Sequence, residues 1–450
     1  MHASVCKCPP ALSAVLLFLV LLLACGVAGA SAQGPVTAGH WEGALTFRGA
    51  AMPVRIHLQS ADDTLYATLD IPSLLMAWEP IPVSMTPDGA EFDFPFGLGV
   101  LPVEWHEDEA LGAKTIGEDT LALHLRRAPP PRFTRQEVRF GSDGTELVGV
   151  LALPPGEGPH PAVVLLHRSG RQGRDSWVYR SWADLLVRQG MAVLYYDQRG
   201  VGESEGEYGA HLLQLAADGA AAVAYLRSRP EVDPARIGLK GSSQGAWLAE
   251  QVAAELGDIS FLLLVSAAAG TPRDQELQKI EYGMRDDGRP EAQVEDALAY
   301  AGLYFYVART GQGWELLADA VRQAQTEEWG QYVDQPKSAE DLIWWHHNHA
   351  FQPAQLVGVL DLPVLLLYGG ADWITPPIEN AEKLKSLFPS PGRVEVHIFP
   401  GADHRLEIGP GPDAQGDWQW PRIAPNMQRV IALWLDVHGL RRPTASSAPP

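Results

Sequence analysis

Cysteine is almost absent from this chain of 450 residues. Its three cysteines, Cys6, Cys8 and Cys25, all lie near the N-terminus. The rest of the chain therefore has no thiol nucleophile, no disulfide and no cysteine ligand for a metal. Any nucleophilic catalysis in the body of the protein has to use another side chain, and export would need no oxidative folding step.

Positive charge is also scarce, because 34 lysines and arginines face 55 aspartates and glutamates, for a net charge of −21. Nucleic acids and anionic membrane surfaces are bound through basic patches, so this balance argues against both as partners. Apolar residues make up 46% of the chain and charged residues 20%. These proportions are typical of a globular protein, and the length exceeds that of one ordinary domain.

Long apolar runs are missing except at the N-terminus. Residues 11–25 are apolar apart from Ser13, Lys7 precedes them, and the small residues 30–32 offer a cleavage site before Gln33. This arrangement is typical of a secretory signal peptide, and the run is short for a membrane span.

We therefore expect a signal peptide at 1–32 and an exported protein, periplasmic or secreted, that does not insert into the membrane after processing. Two alternatives stay open. The tetrapeptide Leu22-Leu-Ala-Cys25 also matches a lipoprotein processing site, at which Cys25 would carry a lipid anchor. An uncleaved N-terminal anchor is the third interpretation.

Apolar and polar residues alternate through residues 38–127, as expected for half-buried β-strands. The clearest runs are Val54, Ile56 and Leu58, then Leu65, Ala67 and Leu69, and finally Leu121, Leu123 and Leu125. The pattern predicts a small β-rich N-terminal domain at 38–127. A stiff proline-rich linker follows at 128–134.

From residue 135 onward the pattern predicts strands that alternate with helices. The predicted strands are Glu137–Phe140, Glu146–Leu153, Ala162–Leu166, Ala192–Tyr196, Ile237–Lys240, Phe261–Val265, Val364–Tyr368 and Val394–Phe399. Continuous apolar strands separated by helices favour a mostly parallel sheet covered on both faces, with ligands bound beyond the carboxyl ends of the strands. We predict an α/β catalytic domain at 135–440 and a disordered tail at 441–450.

The alternation of strands and helices is interrupted at 271–357. This segment is charged, helix-prone and aromatic, with Trp344 and Trp345 as its most prominent pair. An insertion between two strands of a sheet predicts a helical lid over the site. The two tryptophans and Phe351 are interpreted as packing residues, with a pocket-lining role as the alternative.

A strand, a tight turn and a helix are predicted for residues 237–249, which contain Gly241-x-Ser243-x-Gly245. Glycines on both sides leave room for a strained turn that holds the serine hydroxyl exposed. The helix that begins there directs backbone N–H groups towards an oxyanion. The motif predicts Ser243 as a catalytic nucleophile.

The same glycine pattern occurs a second time, around Ser204 in Gly202-Glu-Ser-Glu-Gly206. Two glutamates flank this serine, and no helix-forming stretch begins directly behind it. We interpret Ser204 as a loop residue.

A serine nucleophile needs a base, and the base needs a group that fixes its tautomer. Asp372 follows the predicted strand Val364–Tyr368 on a glycine-rich turn, and His404 follows the next strand. Both therefore emerge at the carboxyl edge of the sheet, as Ser243 does. The alternatives are a helix-capping role for Asp372 and a surface-loop role for His404, while Asp403 is interpreted as a turn residue.

Residues from about 135 to 440 resemble an α/β-hydrolase, close to exported bacterial esterases grouped with serine aminopeptidase-like and dienelactone-hydrolase-like proteins. The matching pieces are His167-Arg-Ser-Gly170, Asp197-Gln-Arg-Gly-Val-Gly-Glu-Ser204, the serine turn, the Gly-Gly-Ala-Asp372 turn and the Gly-Ala-Asp-His404 turn. The order Ser, Asp, His along the chain is also that of this superfamily.

The resemblance implies that Ser243 is the nucleophile, His404 the base and Asp372 the orienting acid. It also implies an oxyanion hole made by the backbone N–H groups of Gln244 and Ser169. The family usually has His-Gly at the start of the oxyanion loop, whereas this chain has arginine at position 168. That departure leaves the second donor open between Arg168 and Ser169.

Three functions are compatible with these residues. The first is hydrolysis of a small-molecule carboxylic ester through an acyl-enzyme intermediate. The second is an exported aminopeptidase or amidase with the same triad, and the third is a catalytically silent binding protein. The second needs an acid to hold the substrate amine, for which the sequence offers Glu203, Glu205, Glu281, Asp286 and Asp287.

No cofactor and no metal are expected. Three histidines, His346, His347 and His349, lie close together in the predicted lid. Only the first and last share a helix face, and no carboxylate stands at a ligand-like spacing from either. A structural or lid-lining role is therefore expected for them.

Overall fold

The N-terminal alternation of apolar and polar residues folds into a nine-stranded antiparallel sheet. Its strands are β1 Gly39–Phe47, β2 Ala50–Ala61, β3 Thr64–Ile71, β4 Met76–Ile81, β5 Val83–Thr86, β6 Gly89–Phe94, β7 Gly99–His106, β8 Glu109–Ile116 and β9 Asp119–Ala128. Strands β4 and β5 lie at opposite edges of the sheet, yet Pro82 alone joins them. The sheet therefore curls around an apolar core that contains Val54, Ile56 and Leu123.

The computed structural model of the protein describes residues 38–61, 64–86, 89–95, 97–413, 416–418 and 420–441. The expected signal peptide at 1–32, the alternative lipid anchor at Cys25 and residues 442–450 of the expected tail lie outside the described residues. Within the described part of the chain, no helix combines the length and the apolar composition needed to cross a membrane.

The second part of the chain forms an eight-stranded, mostly parallel sheet. Its strands are β10 Thr134–Ser142, β11 Thr145–Leu153, β12 His160–Leu166, β13 Ala192–Tyr196, β14 Val232–Ser242, β15 Leu262–Val265, β16 Val364–Gly369 and β17 Val394–Phe399. Their order is β10-β11-β13-β12-β14-β15-β16-β17, and β11 runs antiparallel to both neighbours. Each of the eight strands predicted from the sequence corresponds to one of these.

Ten helices accompany the two sheets in the described residues. They are α1 Trp177–Val187, α2 Leu212–Arg227, α3 Gln244–Leu256, α4 Pro272–Asp286, α5 Glu291–Thr310, α6 Trp314–Ala324, α7 Ile343–Asn348, α8 Pro353–Val357, α9 Pro377–Leu387 and α10 Met427–Val437. Short 3₁₀ turns occur at Pro72–Leu74, Glu328–Tyr332, Ala339–Leu342 and Pro391–Arg393. Two small antiparallel pairs follow β17: β18 Glu407–Ile408 with β21 Arg422–Ile423, and β19 Gly411–Asp413 with β20 Gly416–Trp418.

Alternate residues of the central strands enter separate cores on the two faces of the parallel sheet. Val164 and Leu166 pack with α2 and α3 on one face, whereas Val163 and Leu165 pack with α1 and α10 on the other. A strand whose successive side chains are all buried has to be covered on both sides. The sheet is thus fixed rigidly, and the carboxyl ends of its parallel strands form one edge.

The helices α4 to α8 lie between β15 and β16 along the chain, where the sequence predicts an insertion. Helices α4, α5 and α6 share an apolar core of their own, which includes Ile280, Val294 and Leu317. The side chain of Thr271 accepts a hydrogen bond from Asp274 N–H, and Asp274 caps Thr271 in return, so α4 begins sharply. The insertion is therefore an ordered helical unit.

The N-terminal sheet packs directly on the parallel sheet's layer of helices. Glu79 of β4 forms an ion pair with Arg180 of α1. Phe133, in the proline-rich connection before β10, stacks against Trp78 with ring centroids 5.4 Å apart. These contacts join β4 to the part of the chain that forms the parallel sheet.

Candidate active site

Ser243 lies on a strained turn between β14 and α3. Its φ of 54° and ψ of −124° belong to a region that residues with a side chain rarely adopt. A Cβ at Gly241 would lie 2.0 Å from the carbonyl oxygen of Gly245, and one at Gly245 would lie 2.8 Å from that of Leu166. Both motif glycines are therefore required by the close approach of the backbone.

Asp372 and His404 contact each other at the ends of β16 and β17. The Nδ1 atom of His404 is 2.9 Å from Oδ2 and 3.0 Å from Oδ1 of Asp372. The carboxylate is fully buried, and it also accepts hydrogen bonds from the N–H groups of Ile374 and Thr375 at 3.0 and 2.9 Å. Such a carboxylate can orient an imidazole and stabilise its protonated form.

Ser243 and His404 line the same two cavities. The wide cavity has a volume of about 620 Å³ and extends under the inserted helices, where it meets Trp344 and Trp345. The narrow cavity has a volume of about 50 Å³ and extends towards the N-terminal domain. The structure thus brings together the three residues that the sequence singled out for catalysis, at the carboxyl edge of the sheet.

Ser169 and Gln244, the first residue of α3, line the wide cavity beside Ser243, and these are the two residues expected to supply the oxyanion N–H groups. The competing donor at position 168 is already engaged, because the N–H of Arg168 donates to the hydroxyl of Tyr179 at 3.1 Å. The carbonyl of Ser169 accepts from the side chain of Gln172 at 2.8 Å, which shapes this loop. The geometry therefore favours Ser169 over Arg168 as the second oxyanion donor.

His167 holds the start of the oxyanion loop. Its Nε2 atom lies 2.7 Å from the carbonyl oxygen of Tyr196 at the end of β13. Burial lowers the pKa of His167 to about 4, because a charged imidazole would lose its hydration there. The ring is consequently neutral at neutral pH and acts as a donor to the backbone.

Ser204 is buried and has its hydrogen-bonding capacity occupied. Its hydroxyl donates to the carbonyl of Asp197 at 2.7 Å and accepts from the N–H of Val148 at 2.9 Å. The Asp197 carboxylate accepts from the N–H of Arg174 at 2.6 Å and of Glu203 at 3.0 Å. Ser204 therefore lies in a loop and links that loop to β11 by hydrogen bonds, in keeping with its interpretation as a loop residue from the sequence.

Several cavity residues were missed in the sequence. Trp373 and the pair Glu276 and Lys279 line the wide cavity, while Leu74 and Leu75 of the N-terminal domain line the narrow one. The charged pair could have been found only from the orientation of α4. Nothing local in the sequence marks the two leucines, because their neighbours at the site lie far along the chain.

The acids that the sequence offered for binding a substrate amine lie elsewhere. Glu203 pairs with Arg139 and Arg174, Glu205 accepts from the N–H of Glu146, and Glu281 pairs with Arg285. The other two acids offered by the sequence are Asp286 and Asp287. Among the described residues that line the two cavities, none of these five acids occurs.

The histidines of the inserted helices make hydrogen bonds to the backbone. Nδ1 of His346 lies 3.0 Å from the carbonyl of Ala308, and Nδ1 of His349 lies 2.6 Å from that of His346. Among the described residues, no group of three or more His, Cys, Asp and Glu side chains is arranged to hold a metal ion.

Of the aromatic residues that the sequence singled out in the insertion, Trp344 and Trp345 border the wide cavity, whereas Phe351 packs against Trp247.

Comparison with known protein families identifies the fold of this site. The family model of the serine aminopeptidase S33 hydrolases matches residues 157–409, which is more than half of the chain and includes Ser243, Asp372 and His404. The chain belongs to this family. The resemblance to the α/β-hydrolases and their esterases, inferred above from five motifs, is thereby confirmed.

Two curated relatives match this member of the S33 family over part of their length. Esterase EstD of Thermotoga maritima is 25% identical over 290 residues, which cover 63% of this chain and 62% of EstD. The quorum-quenching protein AidA of Acinetobacter baumannii is 33% identical over 112 residues, which cover 24% of this chain and 36% of AidA. The chain thus spans less than two thirds of either relative.

Solved structures of similar fold include the esterase PF2001 of Pyrococcus furiosus and the hypothetical protein PA2218 of Pseudomonas aeruginosa. The first is 17% identical with a TM-score of 0.45, over 68% of this chain and 91% of that one. The second is 19% identical, also with a TM-score of 0.45, over 69% of this chain and 95% of that one.

Proposed function

We propose that this S33-family protein is a serine hydrolase that cleaves a small-molecule carboxylic ester through an acyl-enzyme. The observation that carries the proposal is the contact between His404 and the buried Asp372, together with the exposure of His404 and Ser243 to the same cavities. Membership of a family that contains esterases supports it.

In the first step the Oγ atom of Ser243 attacks the ester carbonyl, and Nε2 of His404 takes its proton. Asp372 holds the Nδ1–H of the imidazole and stabilises the positive charge that forms. The N–H groups of Gln244 and Ser169 donate to the carbonyl oxygen as it becomes negative. When the intermediate collapses, His404 returns the proton to the departing alcohol.

In the second step a water molecule attacks the acyl-enzyme. His404 removes a proton from this water, and the same two N–H groups again stabilise the oxyanion. When this second intermediate collapses, the bond between the acyl carbon and Oγ of Ser243 breaks, His404 returns its proton to Oγ, and the carboxylic acid is released. We propose that the helices α4 to α8 act as a lid that limits access of bulk water to the wide cavity.

One observation keeps an aminopeptidase or amidase as a second candidate. Glu276 of α4 is buried at the wall of the wide cavity, where it could accept a substrate amine. Burial raises the pKa of this carboxyl, and the ammonium of Lys279 already lies 2.5 Å from it. An incoming amine would have to compete with that internal pair, so the ester substrate is favoured.

Parallel assays of a p-nitrophenyl acyl ester and an amino-acid p-nitroanilide test the proposal. Ester turnover that is abolished in Ser243→Ala, with little or no anilide turnover, supports an esterase. Anilide turnover that exceeds ester turnover and falls in Glu276→Gln would assign the second function. Absence of both activities, together with no labelling by a fluorophosphonate, would leave the catalytically silent binding protein.

A further inference from the structure

The N-terminal domain reaches the catalytic serine through one short segment. Leu74, which ends the 3₁₀ turn, and Leu75 line the narrow cavity together with Ser243 and His404. The family model begins only at residue 157, so this wall lies outside the part of the chain that it matches. A domain that supplies side chains next to a nucleophile can determine which substrates fit.

The backbone of this segment is strained in two places. Leu75 has φ 48° and ψ 41°, and Trp78 has φ 56°, although left-handed conformations are unfavourable for large side chains. Strain of this kind persists only where the surroundings impose it. It therefore marks a segment whose position is fixed by packing.

That packing comes from both halves of the molecule. Leu74 and Met76 are buried in the core of the N-terminal sheet, whereas Leu75, Ala77 and Trp78 are buried in the core formed with α1 and α10. Neighbouring residues thus point into different cores. The segment is clamped between the two domains and provides a firm wall.

Polar contacts reinforce the same segment. The carbonyl of Pro72 accepts from the side chain of Gln428 of α10 at 3.2 Å, and the N–H of Trp78 donates to Asp70 at 2.7 Å. The guanidinium of Arg135 lies 4.1 Å from the centre of the Trp78 ring. Displacement of Leu74 and Leu75 by a substrate would break these contacts, so the cavity keeps its size.

The narrow cavity is small and mostly apolar. Leu74 and Leu75 form one part of its wall, and Trp177 and Val178 of α1 form another. Its charged lining residues include Arg168 and the ion pair of Arg405 and Glu407. A volume of about 50 Å³ corresponds to a few small groups, since one water molecule needs roughly 10–15 Å³ by the same measure. The wide cavity is larger by an order of magnitude and offers polar groups on α4.

We propose that the narrow cavity is the acyl pocket and that the N-terminal domain, through Leu74 and Leu75, limits the substrate to short acyl chains. The sizes of the two cavities distribute the ester between them. The narrow space beside Leu74, Leu75 and Val178 suits a short alkyl chain of the acyl group. The wide cavity has room for a larger alcohol. This inference rests on the proposed esterase function.

The test is a profile of kcat/KM over p-nitrophenyl acetate, butyrate, hexanoate and octanoate, and over acetates of increasingly large alcohols. The wild-type protein is expected to prefer acetate or butyrate over octanoate by at least roughly tenfold in kcat/KM, because each methylene that does not fit a pocket costs about 10-fold or more.

Two variants change the size of the cavity. Leu75→Ala is expected to raise the ratio of kcat/KM for octanoate to that for acetate by about tenfold. Val178→Phe enlarges a residue of α1 that also lines the cavity, and it is expected to restrict turnover to acetate without altering the core of the N-terminal sheet.

The matched control is Leu111→Ala, which removes an exposed leucine of the same domain on β8. Its acyl profile should equal that of the wild type. The proposal is overturned if Leu75→Ala and Val178→Phe change the preference for the alcohol while the acyl profile stays unchanged, or if both profiles stay unchanged in folded variants. Failure of the esterase proposal itself looks different, because the wild type would then hydrolyse none of the esters.

Discussion

His404 and Asp372 are joined by contacts of 2.9 and 3.0 Å between one imidazole nitrogen, Nδ1, and both carboxylate oxygens. Such an arrangement requires the proton of the neutral ring to stand on Nδ1, which leaves Nε2 as the atom that can accept a proton from Ser243. The buried carboxylate is therefore expected to contribute to catalysis through the tautomer and orientation of His404.

Replacement of Asp372 by asparagine tests this relationship. The amide can still accept the turn hydrogen bonds from Ile374 and Thr375, but its NH₂ group favours the wrong tautomer of His404. We expect kcat for an ester to fall by about 10⁴-fold, as in comparable triads, with the fold retained by circular dichroism.

Asp403→Asn is the matched control for that variant. The side chain of Asp403 accepts hydrogen bonds from the N–H groups of Arg405 and Glu407 at 2.8 and 2.9 Å. These bonds stabilise the turn, so Asp403 has a structural role there. Its kcat should stay within a few-fold of the wild type. Equal losses in the two variants would mean that Asp372 acts only through the structure of the turn.

The glycines of the serine turn should tolerate no side chain. In Gly241→Ala the new methyl group would meet the backbone of Gly245 at 2.0 Å, which neither side can relieve. We expect loss of the folded protein or a large fall in the melting temperature.

Gly302→Ala, in the middle of α5 with open space around its Cβ position, serves for comparison. Alanine favours a helix by about 1 kcal/mol over glycine, so this variant should be as stable as the wild type or more so. Similar melting temperatures for both alanine variants would argue against the close backbone approach at Ser243.

The neutral state of His167 predicts a pH dependence of stability. Its pKa is about 4 in the folded protein, against about 6.5 in the unfolded chain. As the pH falls below 6.5 the unfolded chain gains a proton that the folded protein does not, so stability decreases until about pH 4 and then no further. The upper limit of this loss is about 3.5 kcal/mol, since each of the roughly 2.5 pKa units corresponds to about 1.4 kcal/mol.

Urea unfolding at several pH values between about 7.5 and 4 measures this effect. His167→Gln keeps a donor for the carbonyl of Tyr196 and removes the titration, so its stability should vary less across this range. His106→Gln, at an exposed position of β7, should retain the slope of the wild type. A wild-type slope in His167→Gln would assign the pH dependence to other groups.

Ser204 should be important for stability and dispensable for chemistry. Ser204→Ala leaves the buried N–H of Val148 without its acceptor, which costs about 1–3 kcal/mol. The free energy of unfolding should fall by that amount, while kcat stays within a few-fold of the wild type. A fall in kcat by several orders of magnitude with unchanged stability would reverse the roles of Ser204 and Ser243.

Much of the fold could be predicted from the sequence because the relevant signals are local. A run such as Ala162–Leu166 is apolar on both faces, and the three residues proposed for catalysis stand in the turns that follow predicted strands. The carboxyl ends of parallel strands share one edge of a sheet, so Ser243, Asp372 and His404 were expected close together without knowledge of any contact.

The features that escaped prediction depend on contacts between distant parts of the chain. The N–H of Arg168, one of the two candidate oxyanion donors, donates to the hydroxyl of Tyr179 on α1, and no local pattern in the sequence indicates this contact. The place of Leu75 beside Ser243 depends on how the N-terminal sheet docks on α1 and α10. Likewise, Glu276 lines the cavity and Glu281 does not, because of the orientation of α4 on its neighbours.

The most direct test of the account is the position at which a fluorophosphonate attaches, read by peptide mass spectrometry alongside the loss of ester turnover. We expect a single adduct on Ser243 that forms in step with inactivation. Ser243→Ala should take up no label and should lose turnover by up to about 10⁶-fold. An adduct on Ser204 or any other residue, or undiminished turnover in Ser243→Ala, would contradict the assignment of the nucleophile and with it the proposed mechanism.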